Sequence, residues 1–296
     1  MKRLLNANSS ETLSMTKDEL KQSIYASEGR IILSETVCVS SLLEGVTNAE
    51  VSVAFGSDLI CLNVFDCNKP YIKGLPESDE PIKLLRKLIG RPVGCNLEPI
   101  DLDINMMEDR HLINNGRQAT VETFKKAKKL GFDFICLTGN PGTGVSNASI
   151  EKAITLAKEH FGGLIIAGKM HSAGVDEKLV DLEMISRFID AGADVILLPA
   201  VYTVPGLSEE EMREACQLIK SKGALSLSAI GTSQEGSDAD TIRLIALTNK
   251  KCGIDIQHIG DAGFNGMALP ENIMTLSIAL RGKRWTYTKM ASSINR

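Results

Sequence analysis

No apolar run in the sequence approaches the roughly 20 residues that a membrane-spanning helix needs. The first residues, MKRLLNANSSETLS, also lack the apolar core of a signal peptide. Positive charge is not in excess, because 33 Lys and Arg residues stand against 37 Asp and Glu residues and give a formal net charge of −4. A general binder of the nucleic-acid backbone needs a basic surface. These absences predict a cytoplasmic protein with neither membrane nor nucleic acid among its partners.

The seven cysteines include no CxxC or CxxxC pair and form no disulfide framework. A cysteine-based zinc site therefore has no support in the sequence. Four cysteines lie inside apolar, strand-like runs, where a free thiol behaves as a small apolar side chain: Cys38, Cys61, Cys95 and Cys136. This usage agrees with a reducing compartment.

What the chain does contain is a repeated unit. Its 43% of apolar and 24% of charged residues are typical of a globular protein with a substantial core. Eight short apolar runs, each followed by a segment with helical spacing, begin at fairly even intervals and predict the β/α alternation of a parallel sheet. They span residues 31–39, 59–65, 92–97, 132–138, 163–170, 193–199, 224–230 and 254–259.

Signals for helix ends lie between these runs. Thr47 with Glu50, and Ser208 with Glu211, have the spacing of capping boxes, in which side chains satisfy the free backbone donors of a helix N-terminus. A glycine that can close a helix in the left-handed conformation follows each helical segment: Gly56, Gly90, Gly131, Gly162, Gly192, Gly223, Gly253 and Gly282. Eight helices are therefore expected to follow eight strands.

Eight β/α units in a chain of this length close most economically into a (β/α)8 barrel, an α/β fold. An open eight-stranded sheet would need a reversal of strand order that the even spacing does not indicate. We predict one barrel domain over residues 1–296, with the barrel proper at about 30–282 and an extra helix over 16–26 that closes its bottom. A short basic tail, 283–296, follows and contains Trp285 and Tyr287. It is expected to pack on the barrel or to reach a neighbouring subunit of a homo-oligomer.

Polar residues accumulate at the predicted C-terminal ends of the strands, where barrels of this kind bind ligands. They are too many for a dry core: Glu35, Asn63, Asp66, Asn96, Glu98, Thr138, Asn140, Lys169, His171, His258 and Asp261. Six of them are expected to bind substrate through hydroxyl, amide, imidazole or carboxylate groups: Glu35, Asn63, Asn96, Thr138, Asn140 and His258.

Lys169 closes the apolar run LIIAGKM, and apolar surroundings would lower its pKa toward nucleophilic use. Three roles stay open for it: a nucleophile, a binder of a ligand phosphate, or a structural partner of Glu98. His171 lies two residues further on and would need a partner such as Glu98 to act as a general acid or base. We predict Lys169, Glu98 and His171 as the catalytic residues.

A divalent metal is a second option at the same strand ends. Asp66 and Glu98, with His171, would offer an oxygen-rich site, and Mg²⁺ takes one or two carboxylates and leaves positions for water and substrate. The ligands would come from three different strands, so no local motif supports the assignment. The expected cofactor is therefore none or Mg²⁺.

Glycine-rich stretches follow the seventh and eighth strands, GTSQEG at 231–236 and GDAGFNG at 260–266. These are the two loops that form the phosphate site of many such barrels, and glycine lets backbone amides approach phosphate oxygens. We predict that phosphate is bound by Gly231, Thr232, Ser233, Gly260, Asp261 and Gly263.

Over residues 30–282 the chain resembles the phosphate-binding (β/α)8 barrels, a group that includes sugar-phosphate aldolases, epimerases and isomerases. The runs ILSETVCV, TNAEVSVAFGSDLICLNVFD, RPVGCNLEP, GFDFICLTGNPGTGVSNASI and GGLIIAGKMHSAGV are also similar to an uncharacterised bacterial barrel family whose members are sometimes labelled haloacid-dehalogenase-like hydrolases. The first likeness is one of architecture, and fold alone does not fix function.

Two local motifs resemble other enzyme families but depart from them. DLDIN at 101–105 resembles the paired-aspartate motif of haloacid-dehalogenase-type phosphatases, yet it follows Pro99 in a polar loop and has Asn105 where that motif has Thr or Val. KKCG at 250–253 resembles the lyase signature of the isocitrate lyase superfamily, yet it ends a predicted helix. Neither motif is expected to carry chemistry here.

Together these features predict an enzyme that cleaves a carbon–carbon bond in, or isomerises, a small phosphorylated sugar or keto acid. One alternative is a Mg²⁺-dependent enolate or phosphoryl-transfer enzyme, including a phosphatase or another hydrolase. The other is a non-catalytic barrel that binds phosphorylated sugars, because binding and catalytic groups are separable.

Overall fold

The computed structural model describes residues 2–296 and contains eight parallel strands that close into a barrel in chain order. Each strand pairs with the next, and the eighth returns to the first. The strands are β1 Ile31–Val37, β2 Leu59–Asn63, β3 Val93–Leu97, β4 Phe134–Leu137, β5 Leu164–Gly168, β6 Val195–Pro199, β7 Leu225–Ile230 and β8 Ile256–Ile259. Each lies inside one of the eight predicted runs, so the predicted (β/α)8 barrel is confirmed.

Ten α-helices surround or close this barrel in the described part of the chain. They are α1 Ser9–Leu13, α2 Lys17–Tyr25, α3 Asn48–Ala54, α4 Pro81–Ile89, α5 Val121–Leu130, α6 Asn147–His160, α7 Leu182–Ala191, α8 Glu209–Ser221, α9 Ala239–Cys252 and α10 Pro270–Ala291. Both predicted capping boxes are present, at the start of α3 and of α8. No helix among residues 2–296 is both long enough and apolar enough to cross a bilayer.

The strand residues alternate between two cores. Inward-facing residues such as Ile31, Leu33 and Cys61 form the barrel interior, whereas outward-facing residues such as Ile60 and Leu62 pack against the helices. The predicted N-terminal helix corresponds to α2, whose Leu20 and Ile24 belong to the interior core. It therefore closes the bottom of the barrel, as the sequence predicted.

The C-terminal tail continues α10 after a kink at Gly282, whose φ of 74° and ψ of 166° are not helical. Beyond the kink the chain packs on its own barrel. Lys289 is buried, and its Nζ lies 3.1 Å from Asp58 Oδ1 and donates to Leu4 O. Asp58 also pairs with Arg281 at 2.5 Å. These ion pairs connect α10 to the segment that directly precedes β2.

The opposite end of the barrel is covered by the loops that follow the strands. The long segment 98–119 after β3 lies across the next two loops, because Asp101 N donates to Gly144 O and Met107 N donates to Gly174 O. The DLDIN motif at 101–105 lies in this loop. The KKCG motif ends α9 at the other end of the barrel, directly before β8, as the sequence predicted.

Candidate active site

A layer of polar side chains lies on top of the apolar barrel interior. Its members share the inward-facing register of their strands and are almost fully buried: Glu35, Asn63, Asn96, Thr138 and His258. Beneath them lie apolar residues and thiols such as Cys61 and Cys136. The structure thus brings together five of the six residues that the sequence predicted to bind substrate.

Glu35 on β1 and His258 on β8 form the centre of this layer. His258 Nε2 lies 3.0 Å from Glu35 Oε2, and both side chains are buried. Because a carboxylate oxygen accepts hydrogen bonds, Nε2 is the nitrogen that donates to it. The pair therefore fixes the orientation of the imidazole ring, in the manner of a base held by its carboxylate partner.

An amide network surrounds Asn63 at the end of β2. Asn63 Oδ1 accepts from the backbone N–H of Val64 at 2.8 Å, and Asn63 Nδ2 donates to Asp261 Oδ2 at 2.8 Å and to Asn140 Oδ1 at 2.9 Å. Asn96 Nδ2 donates to Asn63 Oδ1 at 3.3 Å. Val64 has a φ of 62°, which is strained for a β-branched residue. This strained turn holds the Asn63 amide in one orientation.

Glu98 anchors the other side of the network. Its carboxylate accepts from Arg117 Nη2, from Asn140 Nδ2 and from Asn140 N, each at 2.8 Å. Both of its oxygens are therefore used, and its side chain is 1% exposed. Glu98 positions Asn140, the sixth predicted binding residue, and is itself neutralised by Arg117.

Two more carboxyl groups lie beside the Glu35–His258 pair. Burial and the neighbouring Glu35 charge raise the pKa of Asp261 to about 7 against the opposing hydrogen bond from Asn63. Burial also raises the pKa of Glu235, while backbone N–H groups, its own among them, oppose that rise. Glu235 is 1% exposed and its Oε2 has no hydrogen-bond partner. Near neutral pH, Asp261 can therefore both give and take a proton.

Several buried polar atoms of the layer have no hydrogen-bond partner among residues 2–296. Besides Glu235 Oε2 they are Asn96 Oδ1, Thr138 Oγ1 and His258 Nδ1. Buried polar atoms are ordinarily satisfied, and leaving them unpaired is costly. Four such atoms at one end of the barrel indicate a place that water or a polar ligand fills.

Lys169 lies apart from this layer. It follows the outward-facing series Ile165 and Ala167, and its Nζ lies 2.6 Å from Glu177 Oε2. The same carboxylate oxygen accepts from the backbone N–H of Asn147 at the start of α6. Burial lowers the pKa of Lys169, and Glu177 opposes this shift. Lys169 therefore forms an ion pair with Glu177 in the observed structure, and not with Glu98 as the structural alternative assumed.

His171 lies nearer to the layer than Lys169 does. Its Nδ1 accepts from Ala173 N at 3.0 Å. Burial lowers its pKa, while the charges of Glu35 and Glu98 oppose the shift. A lowered pKa keeps this histidine neutral at pH 7. The predicted catalytic group of Lys169, Glu98 and His171 is not brought together by direct contacts, and its chemistry stays a prediction.

Of the two carboxylates predicted to bind Mg²⁺, Glu98 has no oxygen free for a metal, whereas Asp66 has only its Oδ1 engaged, and Mg²⁺ binding stays a prediction. Both oxygens of Glu98 are hydrogen-bonded to Arg117 and Asn140, and Asp66 Oδ1 accepts from the backbone N–H of Asn68. Among residues 2–296 no group of three or more His, Cys, Asp or Glu side chains is arranged to hold a metal ion. We therefore assign no step of the chemistry to a metal.

The two glycine-rich loops contact each other at the predicted phosphate site, with Gly236 next to Gly263. The Thr232 hydroxyl lies within hydrogen-bond distance of Thr203 O and Gln234 Oε1, and Ser233 is exposed. At Gly260 an added Cβ atom would lie 2.3 Å from Glu235 Oε1. The space beside Gly260 is thus filled by a carboxyl group, and phosphate binding by Gly231 and its neighbours stays a prediction.

Sequence reasoning missed Arg117, Glu177 and Glu235. All three come from loops, where no periodicity shows which residues face inward. Arg117 has no local signal at all, since its partner Glu98 is 19 residues earlier in the chain. Glu235 lies inside a recognised glycine-rich loop, and its negative charge there was a signal against a phosphate site.

The fold has counterparts among solved structures. A candidate lyase/mutase from Burkholderia cenocepacia J2315 matches with a TM-score of 0.52 and 16% identity over 96% of each chain. 2,3-Dimethylmalate lyase, a PEP mutase/isocitrate lyase superfamily member, matches with a TM-score of 0.50 and 14% identity over 83% of this chain and 81% of that chain. Oxaloacetate acetylhydrolase matches with a TM-score of 0.50 and 16% identity over 85% and 82%. At these identities the likeness is one of fold.

Sequence comparison adds a family. A family model described as a domain of unknown function (DUF7916) matches residues 5–296, whereas no curated protein sequence matches. The label of haloacid-dehalogenase-like hydrolase that the sequence resemblance suggested is not supported, because the matching family model is one of unknown function and the structural matches cited carry no such label. The physical reason agrees, since the paired-aspartate motif at 101–105 ends no buried strand.

Proposed function

We propose that this chain, which belongs to the DUF7916 family, is an acid–base enzyme of the lyase or isomerase type that acts on a small hydroxy or keto compound. The names of two structural counterparts, a lyase and an acetylhydrolase, agree with carbon–carbon bond chemistry. The proposal depends on the arrangement of the strand-end layer and not on those names, because the identities are low.

The observation that carries the proposal is the buried Glu35–His258 pair with a free ring nitrogen. Nε2 is bonded to Glu35, so the neutral ring presents the lone pair of Nδ1, which has no partner in the protein. Such a nitrogen can take a proton from a carbon next to a carbonyl or from a hydroxyl group. Glu35 would then stabilise the imidazolium that forms.

Asp261 supplies the complementary group. With a pKa of about 7, its carboxyl can return a proton to the substrate or to the leaving fragment. The free atoms Asn96 Oδ1 and Thr138 Oγ1 would orient the hydroxyl or carbonyl oxygens of the substrate. One group that removes a proton and one that returns it are sufficient for isomerisation and for aldol-type cleavage.

Exchange of substrate hydrogen with solvent deuterium tests this proposal and does not require the product to be identified. The protein is incubated in D₂O with small hydroxy and keto compounds, with and without phosphate, and the loss of C–H signals is followed by NMR. We expect exchange with at least one compound and a decrease of about 100-fold or more in His258→Gln, the range for loss of a general base. His160→Gln, at the end of α6, is the matched control and should exchange at the wild-type rate.

Two results would count against the proposal. Equal exchange rates in wild type and His258→Gln would remove the role of the Glu35–His258 pair. Tight binding of a compound with no exchange and no turnover would favour the non-catalytic barrel instead. Measurement with excess chelator and with added Mg²⁺ separates metal-dependent chemistry, because exchange carried by protein groups alone is unaffected by chelation.

A further inference from the structure

We propose that the substrate of this site carries an ammonium group together with hydroxyl groups and no phosphate, and that Glu235 and Asp261 receive the ammonium group. This inference rests on the proposed function only in placing the ligand in the same site. Three independent features of the site support it: the charge of the layer, the direction of its amides, and the packing of the two glycine-rich loops.

The first observation is an excess of carboxyl groups without basic partners. Arg117 is paired with Glu98, and Lys169 is paired with Glu177 outside the layer. Arg110, in the covering loop, is bonded to backbone carbonyl oxygens. His258 is paired with Glu35. Within the described part of the chain no basic side chain thus pairs with Glu235 or Asp261, and an anionic ligand would add to their negative charge.

The second observation is the direction of the amide groups. The backbone N–H of Val64 can only donate, so it defines the oxygen of the Asn63 amide. Asn96 must then donate through Nδ2 to that oxygen, which leaves Asn96 Oδ1 as a free acceptor. The Glu98 carboxylate likewise defines the orientation of the Asn140 side-chain amide, because the carboxylate accepts and Nδ2 must be the atom that donates to it.

The remaining free atoms also accept hydrogen bonds. In the neutral ring His258 Nδ1 is an acceptor, because Nε2 carries the proton donated to Glu35, and Glu235 Oε2 is an acceptor when ionised. Thr138 Oγ1 can accept or donate. A ligand that satisfies this set must present several N–H or O–H donors. Phosphate and carboxylate groups present acceptors, whereas ammonium and hydroxyl groups present donors.

The third observation concerns the position where these barrels ordinarily hold phosphate. The Glu235 carboxyl is packed against Gly260, and the two loops contact each other at Gly236 and Gly263. A phosphate between the loops would have to displace a buried carboxyl group and separate the loops. An ammonium group would instead supply a donor to the buried, unpaired Oε2 of Glu235.

Matched sets of small compounds test the proposal by thermal unfolding and by titration calorimetry. The first set is 2-amino-1,3-propanediol, glycerol and glycerol 3-phosphate, and the second is glucosamine, glucose and glucose 6-phosphate. Inorganic phosphate alone and Mg²⁺ alone are measured beside them. In at least one set we expect the amine to raise the unfolding temperature and to bind about tenfold more tightly than its neutral counterpart, as one additional ion pair predicts.

In the variant Glu235→Gln the affinity for the amine should decrease until it is close to the affinity for the neutral compound. Glu214→Gln, on the exposed side of α8, is the matched control and should keep the preference. Because Gln has nearly the shape of Glu, the folded protein is expected to persist, and its unfolding temperature without ligand confirms this in the same experiment.

The outcomes separate this inference from the proposed function. The inference is overturned by stronger binding of a phosphorylated or neutral member of the sets, by binding of phosphate alone or Mg²⁺ alone in place of the amines, or by an unchanged preference in Glu235→Gln. Binding of the amine without hydrogen exchange supports the inference and contradicts the proposed function. Exchange confined to phosphorylated compounds overturns the inference and leaves the proposed function intact.

Discussion

Replacement of Asp261 by Asn should make the folded protein more stable at neutral and alkaline pH. The pKa of Asp261 is about 7 in the folded protein against an ordinary value of 3.8, so folding favours the protonated form. Ionisation of this group therefore costs stability. The cost begins near pH 4, increases up to about pH 7 and is constant above that, because both states are then ionised.

The size of the effect follows from the same two values. Linkage gives a cost of about 2 kcal/mol at pH 5 and about 4 kcal/mol at pH 8. Asn at this position is uncharged at both pH values and can still accept the hydrogen bond from Asn63. The free energy of unfolding of Asp261→Asn relative to wild type should thus increase by about 2–3 kcal/mol between pH 5 and pH 8.

Urea unfolding of both proteins across this pH range measures the difference directly. Asp79→Asn, in an exposed loop, is the matched control and should parallel the wild type at every pH. Parallel curves for wild type and Asp261→Asn would refute the reasoning, since they would mean that Asp261 titrates alike in the folded and unfolded chain. A gain in stability with a loss of hydrogen exchange would identify Asp261 as a group that is retained for chemistry.

Three further changes have definite expected outcomes. Lys169→Met should lower the free energy of unfolding by about 1–3 kcal/mol in urea titrations, because the partly exposed Glu177 loses its buried partner, and borohydride trapping of a substrate on Lys169 would contradict a purely structural role. Gly260→Ala should cost about 1–3 kcal/mol by the same assay, because its Cβ atom would meet the Glu235 carboxyl; no loss of stability would show that this loop rearranges freely. Lys289→Met should lower stability by about 2 kcal/mol, since a buried carbonyl loses its donor and a buried carboxylate loses an ion-pair partner; an unchanged midpoint would show that the tail does not stabilise the bottom of the barrel.

The strands and their order were predictable because each is a short apolar run between helix-closing glycines and because parallel β/α units connect in only a few ways. The inward-facing layer was predictable for a related reason. Strand residues alternate strictly between the two faces, so Glu35, Asn63 and Thr138 share a face with the apolar residues that precede them by two positions.

The same alternation accounts for the position of Lys169, whose catalytic role stays a prediction. Lys169 lies two residues after Ala167, which faces the helices. The alternation of strand residues therefore places Lys169 on the side of the helices and not in the barrel interior. The partners of Glu98 and of Lys169 were not predictable, because Arg117 and Glu177 come from loops whose course depends on contacts with other loops. A helix or strand limits where a side chain can point, and a loop does not.

The kinked C-terminal helix has a consequence for the order of folding. Asp58 lies near the start of the barrel, and the two cations that pair with it, Arg281 and Lys289, follow the last strand. Because the chain is synthesised from its N-terminus, Asp58 is present before Arg281 and Lys289 and has no cationic partner until they are synthesised. The earlier strands can associate before then, but the ion pairs of Asp58 at the bottom of the barrel cannot form. Completion of the barrel is therefore coupled to the arrival of a segment that contributes no strand to it.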